Sequence, residues 1–321
     1  MNRRQLLTML PMAALAMAHG VSRGQGYPGK RITLIVGGAP GSVPDVMVRP
    51  VAERMSASLG QPLVVENRPG AAGSVAMAAV ARSAPDGYTL GLVTMSQAVF
   101  NSYLFAKLPY DPLRDLEPVA PLVTGAMVLA AHPLFPARSL SELIALAKAR
   151  KLFMAMPQLG SPPHVVALLL NRAAGIEMTM VPHTSGSEAV RAVMSGEIPL
   201  LIDAPTIISP HIQAGKLMAL AVTGRQRELV LPETPTAGES GLDVQGEAWI
   251  GVVAPAGTPA AIVERLNAEL TSILATAEMR SLMAKFSFRT LSSTPAAFGK
   301  LIREEHAKWG VVIREAGLKL D

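Results

Sequence analysis

The sequence predicts a two-lobed α/β fold: two mostly parallel sheets flanked by helices, with a ligand cleft between the lobes. Three observations predict it. Apolar strand-like runs alternate with helix-like runs along most of the chain, the pattern of α/β layers. Extended apolar runs near residues 119–131 and 248–254 read as two crossings between two such units. One loop design occurs in each unit, as Gly41-Ser42-Val43-Pro44-Asp45 and as Gly160-Ser161-Pro162-Pro163-His164.

Each element has its own signal. Ile32–Val36 is continuously apolar, as in a strand buried on both faces. After the first loop, Val48, Val51, Met55 and Leu59 recur at helical spacing, and Gly60 can end the helix. Ser42 and Asp45 stand as in a capping box with a short acid. Leu63–Glu66 is a short strand. Gly70-Ala71-Ala72-Gly73-Ser74 opens a helix of small residues, Val75–Ala81, and Asp86-Gly87 turns into the strand Tyr88–Thr94. Val119–Ala131 is apolar and extended and crosses into the second lobe. Ser139-Leu140-Ser141-Glu142 is a capping box. Phe153–Met156 is a strand, and the second loop and a helix to Gly175 follow it. Met178–Val181 is a strand, Ser185-Gly186-Ser187-Glu188 starts a helix, and Leu200–Ile202 is a strand ending in Asp203. A helix over Thr206–Ala214 and a strand over Met218–Val222 precede the loop-rich Pro232–Gln245. Trp249–Ala254 carries the chain back. Thr258-Pro259 and Thr294-Pro295 read as N-cap plus first helical residue, opening helices over 259–275 and 295–316.

Bulk composition bounds the function. The chain has 321 residues, half of them apolar, so it can bury more than one core. It has no cysteine, which excludes disulfides, thiolate metal sites and cysteine nucleophiles. Its six histidines are dispersed without metal-binding spacing, and neither a metal nor a cofactor is expected. The formal charge of +5 comes from scattered residues, and only seven Phe and four Tyr are present, so no basic, aromatic nucleic-acid surface is expected. The start reads as an export signal: Arg3 and Arg4, then apolar Leu6–Ala18, with Ala16-Met17-Ala18 fitting the cleavage rule. Both the twin-arginine and the general secretory route fit.

The two loops carry the functional hypothesis. Each follows a strand and opens a helix, and a helix N-terminus presents unpaired N–H groups to an anion. Hydrogen bonds to a charged group contribute roughly 1.5–3 kcal/mol each. Micromolar binding needs about −8 kcal/mol and must also offset at least about 4 kcal/mol of lost rigid-body freedom. One loop with two donors falls short, and two loops facing across a cleft suffice. The candidate ligand-binding residues are Pro40, Gly41, Ser42, Asp45, Thr94, Ser96, Gly160, Ser161, His164 and Asp203. Asp203 reads equally as a ligand contact and as a cap for the helix after it. Thr94, Ser96 and Gln97 end their strand at the same level. His164 fits a structural role as well as a contact. Trp249 walls the ligand or packs in the core, and Trp309 reads as packing. Gly37–Ser42 lacks the lysine of a phosphate loop, and no GxSxG turn marks Ser42 or Ser161 as a nucleophile.

These residues resemble the tripartite tricarboxylate transporter receptors, the Bug family of extracytoplasmic solute-binding proteins. The resemblance rests on Tyr27-Pro28-Gly29-Lys30 with Ile32–Val36, Pro40-Gly41 and Asp45, Val64–Ala71 and Ala84–Leu90. It continues through Leu108–Pro112, Gly160-Ser161-Pro162 with His164, Pro210–Leu217, Ala219–Thr223, Ala254–Pro259 and Trp309-Gly310. It implies a periplasmic binding protein of the type II-like class, without enzymatic activity, in which the two loops clamp a ligand carboxylate. It also implies a monomer that delivers a small carboxylate to the membrane components of a transporter. A sensor presenting to a signalling ectodomain is the alternative, and an exported α/β hydrolase stands behind both. The expected division is 1–26 for signal and linker, with cleavage after Ala18, 27–123 with 250–321 for lobe 1, and 124–249 for lobe 2. The chain departs from the family pattern at Gly37–Ala39, Pro44, Pro157–Leu159, Pro163 and His183-Thr184, which points to a bulkier or less polar ligand.

Overall fold

The computed structural model describes residues 26–320, and the export-signal reading lies outside them. In chain order β1 (Ile32–Val36) leads through the first loop to α1 (Val43–Leu59), β2 (Leu63–Asn67), α2 (Ser74–Ala81) and β3 (Thr89–Thr94). A π-helical turn over Ser96–Phe100 continues as α3 (Asn101–Leu104). β4 (Leu116–Ala126) and β5 (Val128–Ala131) are separated by Met127 alone. Then come α4 (Leu140–Ala149), β6 (Phe153–Met156), α5 (Pro162–Ala174), β7 (Thr179–Pro182), α6 (Gly186–Met194), β8 (Leu200–Asp203), α7 (Pro205–Gln213) and β9 (Met218–Val222). A long loop ends at β10 (Glu247–Pro255), and α8 (Ala260–Leu274), α9 (Ala277–Lys285), β11 (Arg289–Thr290) and α10 (Pro295–Glu315) follow.

The strands form two sheets, in the orders β11-β4-β10-β3-β1-β2 and β7-β6-β8-β5-β9. Helices flank both, so the two-lobed α/β expectation holds. The expectation of mostly parallel sheets does not. Parallel pairing is confined to β2-β1-β3 and β7-β6-β8, and every other pair is antiparallel. A crossover helix makes neighbouring strands parallel. β5 and β10 arrive from the other lobe without one, and each lies antiparallel to its neighbours.

The run Val119–Ala131 is likewise two strands in two sheets. Ala126 pairs with Glu247 in the first sheet, and Val128 pairs with Asp203 and Val222 in the second. Thr223 fastens this junction. It is fully buried, its N–H donates to Met127 O at 3.0 Å, and its hydroxyl accepts from Met127 N at 2.9 Å. The same hydroxyl donates to Gly246 O at 2.6 Å, so one side chain ties the outgoing passage to the returning one. Beside it Arg289 bridges Glu228, at 3.1 Å, and Glu247. Burial pushes the Glu228 carboxyl up, against the pull of Arg289.

One apolar cluster runs through both lobes, joining Ile35, Val93 and Trp309 to Met154 and Leu200. Trp309 is fully buried, edge-on to Phe100 at 5.6 Å between centroids, as the packing reading expects. α5 and α10 join the lobes at the surface through Arg172 Nε and Glu315 Oε2, 2.9 Å apart. The caps divide. Ser139, Ser185 and Thr294 accept from Glu142, Glu188 and Ala297 N–H as their sequences suggest. Thr258 instead donates to Pro255 O, and Pro259 takes the cap position of α8.

Candidate functional site

The first loop is organised around Asp45. Its carboxylate is 2% exposed and faces back into the loop. Oδ2 accepts from Gly41 N–H at 2.8 Å and Arg49 Nε at 3.1 Å, and Oδ1 accepts from Arg49 Nη2 at 2.7 Å and Asn67 Nδ2 at 2.9 Å. Asn67 Nδ2 also donates to Gly38 O at 3.0 Å, which ties the loop to the end of β2. The Arg49 guanidinium holds the Asp45 carboxyl down to about 2 in spite of its burial. Asp45 is therefore ionised and already engaged, and it positions the loop. The expected capping box is absent, because Asp45 reaches Gly41 and Ser42 makes no side-chain cap bond. The Ser42 Oγ is buried and unpartnered, and Gly38 makes room for it: a Cβ there would lie 2.4 Å away.

The second loop repeats the shape with other parts. Ser161 holds the extended cap conformation before α5, and its Oγ is again buried and unpartnered. Gly160 adopts φ +72°, where a side chain would be strained. Its N–H donates to His164 Nδ1 at 3.1 Å. That bond places the ring proton on Nε2. Burial pushes His164 down to about 4, so the ring is neutral at pH 7 and Nε2–H is a donor. With Nδ1 occupied, it is not poised as a base for Ser161. Pro162 and Pro163 have no N–H, so His164 N–H alone remains without an intrahelical acceptor in the first turn. The first loop keeps two such donors, Val43 and Asp45 N–H, on either side of Pro44.

Asp203 ends β8 beside the second loop and is 5% exposed. Oδ1 accepts from Ala204 N–H at 2.7 Å, while Oδ2 is buried and unpartnered. The cap of α7 is Ala204, so the capping role lies one residue later than Asp203. A Cβ on Gly186 would lie 2.0 Å from Oδ2, so the carboxyl packs on the first residue of α6. Burial pushes its pKa up to about 6 from an ordinary 3.8. Stability from this group is complete below about 3.8 and is lost as pH rises through about 6. His164 acts oppositely: its contribution is present above 6.5 and lost as pH falls through about 4. Asp203→Asn isolates the carboxyl. In denaturation between pH 4 and 7 the variant should gain on the parent as pH rises, by up to about 3 kcal/mol. A parent-to-variant difference independent of pH would rule this out.

Thr94 and Ser96 stand where β3 ends. Thr94 N–H donates to Gln97 Oε1 at 2.8 Å, and Ser96 is half-buried at the start of the helical turn. Gln97 joins this end to the first loop. A Cβ on Gly37 or Gly73 would lie 2.2 or 1.9 Å from its Nε2, so the amide is wedged between them. Asn101, one turn on, donates to Ala72 O at 3.2 Å and Ser74 Oγ at 3.1 Å. Ala71 and Ala72 are left-handed, at φ 45° and 51°. Non-glycine residues held so cost of order 1–3 kcal/mol each and cluster at functional sites. This third loop was legible only as a turn opening a helix, since glycines flank the alanines and nothing marks the alanines as the strained pair.

The run Ser96–Leu104 reaches from the first loop to the second. Gln97 touches Gly37, and Leu104 packs where a Cβ on Gly160 would come within 2.7 Å. Seven residues of helix span roughly 10 Å, the scale of a small ligand. Among the described residues no hydrogen bond joins Pro40–Asp45 to Gly160–His164 or to Asp203, and the Ser42 and Ser161 hydroxyls and Asp203 Oδ2 are all buried. A cavity of about 570 Å³ elsewhere, lined by Tyr103, Tyr110 and His306, contains none of the expected site residues. Trp249 lies edge-on to Phe298 at 5.2 Å, on the α10 side of the sheet. Among the described residues there is no group of three metal-ligating side chains and no helix long and apolar enough to cross a membrane.

Residues 47–318 match the model of a family described as "Tripartite tricarboxylate transporter family receptor". Protein BugT of Bordetella pertussis is 34% identical over 326 residues and covers 100% of both chains. A Rhodopseudomonas palustris protein solved with adipate is 30% identical, covering 92% of this chain and all of its own, at TM-score 0.78. MatC from the same species, solved with bound malate, is 32% identical, covering 89% of this chain and all of its own, at TM-score 0.74.

Proposed function

The chain belongs to the tripartite tricarboxylate transporter receptor family, and on that premise we propose that it is a periplasmic receptor for a small carboxylate-bearing metabolite. It captures the ligand between its lobes and delivers it to the membrane components of a tripartite tricarboxylate-type transporter. The observation that carries this reading is the pair of buried, unpartnered serine hydroxyls, Ser42 and Ser161, each at the N-terminus of a long helix. With Val43, Asp45 and His164 N–H and the His164 Nε2–H they make about six donors, enough at roughly 1.5–3 kcal/mol each for micromolar binding. The Asp45 carboxylate holds the first loop and leaves only the backbone N–H of that residue to the ligand. Asp203 Oδ2 meets a hydroxyl or other donor on the ligand body. Adipate and malate on structural relatives support a carboxylate as the common group.

A thermal-shift panel of mono-, di- and tricarboxylates tests it. At a hundredfold over Kd a ligand adds roughly 2.7 kcal/mol. For a chain of this size that is a rise of about 5 °C. Absence of a shift with every acid in the panel would overturn the clamp.

A further inference from the structure

Away from the cleft, a cavity of about 320 Å³ opens beside the junction of the lobes. That volume is at the small end of ligand pockets, roughly 300–1,000 Å³. Its walls come from three places. Thr124 and Trp249 belong to the crossing strands, Arg225 to the loop after β9, and Leu291, Leu301 and Lys308 to the first lobe. The Trp249 ring is 3% exposed, and its Nε1–H is buried without an acceptor. An indole N–H is a donor only, so it needs an acceptor supplied to it.

The charges around the cavity are unequally committed. Glu247 is bound by Arg289 and accepts Arg225 N–H at 3.3 Å. Glu305 accepts from Trp309 Nε1. The two cations are freer. Lys308 Nζ donates to Gln245 O and lies 4.5 Å above the Trp309 ring, and the Arg225 guanidinium forms no ion pair among the described residues. Burial pushes Lys308 down; Glu305, Glu247 and Asp243 oppose this, and the Arg225 charge adds to it. Arg225 and Lys308 both line the cavity, so an anion held there meets both positive charges. Leu291, Leu301 and Trp249, which line the cavity, offer an apolar bed for the rest of the molecule.

We propose that this cavity is a second binding site, for a small organic monoanion with an apolar body. Its negative group sits between Arg225 and Lys308 and accepts from Trp249 Nε1–H. Glu247 and Glu305 at the rim disfavour a second negative charge. The site shares no residue with the cleft, so it stands apart from the carboxylate-receptor reading.

Hexanoate is the probe, added to the full chain while tryptophan emission is followed. The chain has two tryptophans; Trp249 lines the cavity and Trp309 lies under Lys308. Emission should change saturably in the parent. It should do the same, with a similar midpoint, in Ser161→Asp, in which the cleft is closed to anions. In Arg225→Ala/Lys308→Ala the midpoint should rise at least about tenfold, the loss of two charge-assisted contacts. Arg225→Gln alone changes only an exposed side chain and should give a several-fold rise, so the test survives if the double variant does not fold. No saturable change up to about 10 mM, where a millimolar site is mostly filled, would overturn the proposal. So would a parent-like midpoint in both cavity variants, or loss of the response in Ser161→Asp.

Discussion

Ser161→Asp should weaken binding of the cleft acid at least about a hundredfold while leaving the fold intact. Aspartate is as good an N-cap as serine, and a negative charge at a helix N-terminus is favourable, so α5 should hold or gain slightly. The same charge stands where the ligand carboxylate is proposed to sit. Two unit charges about 4 Å apart near a protein surface repel by about 4 kcal/mol, and each 1.4 kcal/mol is tenfold in affinity. Ser161→Ala supplies the reference. It removes one hydrogen bond to a charged group, about 1.5–3 kcal/mol, and leaves the charge unchanged. Isothermal titration of an acid identified by the thermal-shift panel, with both variants, separates the contributions. Equal losses in the two would mean that the second loop does not face an anion. The mirror position, Ser42, sits in a loop already held by the Asp45 network, and for that reason the second loop is the cleaner place to test.

The sequence shows the parts of this site better than their partners. Ile32–Val36, Phe153–Met156 and Met218–Val222 were legible to the residue because unbroken apolar runs bounded by turns have few other readings. The paired loops were legible for the same local reason, since glycine, serine and proline act within one turn of helix. What was not legible is non-local. Asp45 looks identical in sequence whether its oxygens face a ligand or face Gly41, Arg49 and Asn67; the choice is made by Asn67, at the end of a neighbouring strand. The helical run Ser96–Leu104 was hidden because its first residues read as loose polar ends of a strand, yet it joins the two loops. α9 and β11 were missed because nine helical residues and a two-residue strand carry too little periodicity. The sheet directions failed for a similar reason: a strand entering from the other lobe has no local mark of its orientation.

In the sequence Thr223 has only the place of the last residue in the Ala219–Thr223 run, with no role of its own, and Thr223→Val should show the role it has in the fold. Valine keeps the shape and removes the hydroxyl. Met127 N–H then loses its acceptor at 2.9 Å and Gly246 O its donor at 2.6 Å, both inside the junction where water cannot replace them. Each unsatisfied buried group costs about 1–3 kcal/mol, so the variant should lose roughly 2–6 kcal/mol. In a protein of this size that lowers Tm by roughly 5–15 °C. Thr223→Ser, which keeps the hydroxyl, should recover most of the loss; a valine variant melting within a degree of the parent would show that the strap is inert. The consequence for function follows from position. Met127 and Gly246 are the points where the chain leaves and re-enters the first sheet, and the hydroxyl reinforces there the backbone bonds from Thr223 N–H to Met127 O and from Gly246 N–H to Thr223 O. Cleft affinity depends on the fraction of molecules able to bring both serine hydroxyls to one ligand. Loosening the strap should therefore weaken the acid identified by the panel in Thr223→Val and spare it in Thr223→Ser, although Thr223 belongs to neither loop.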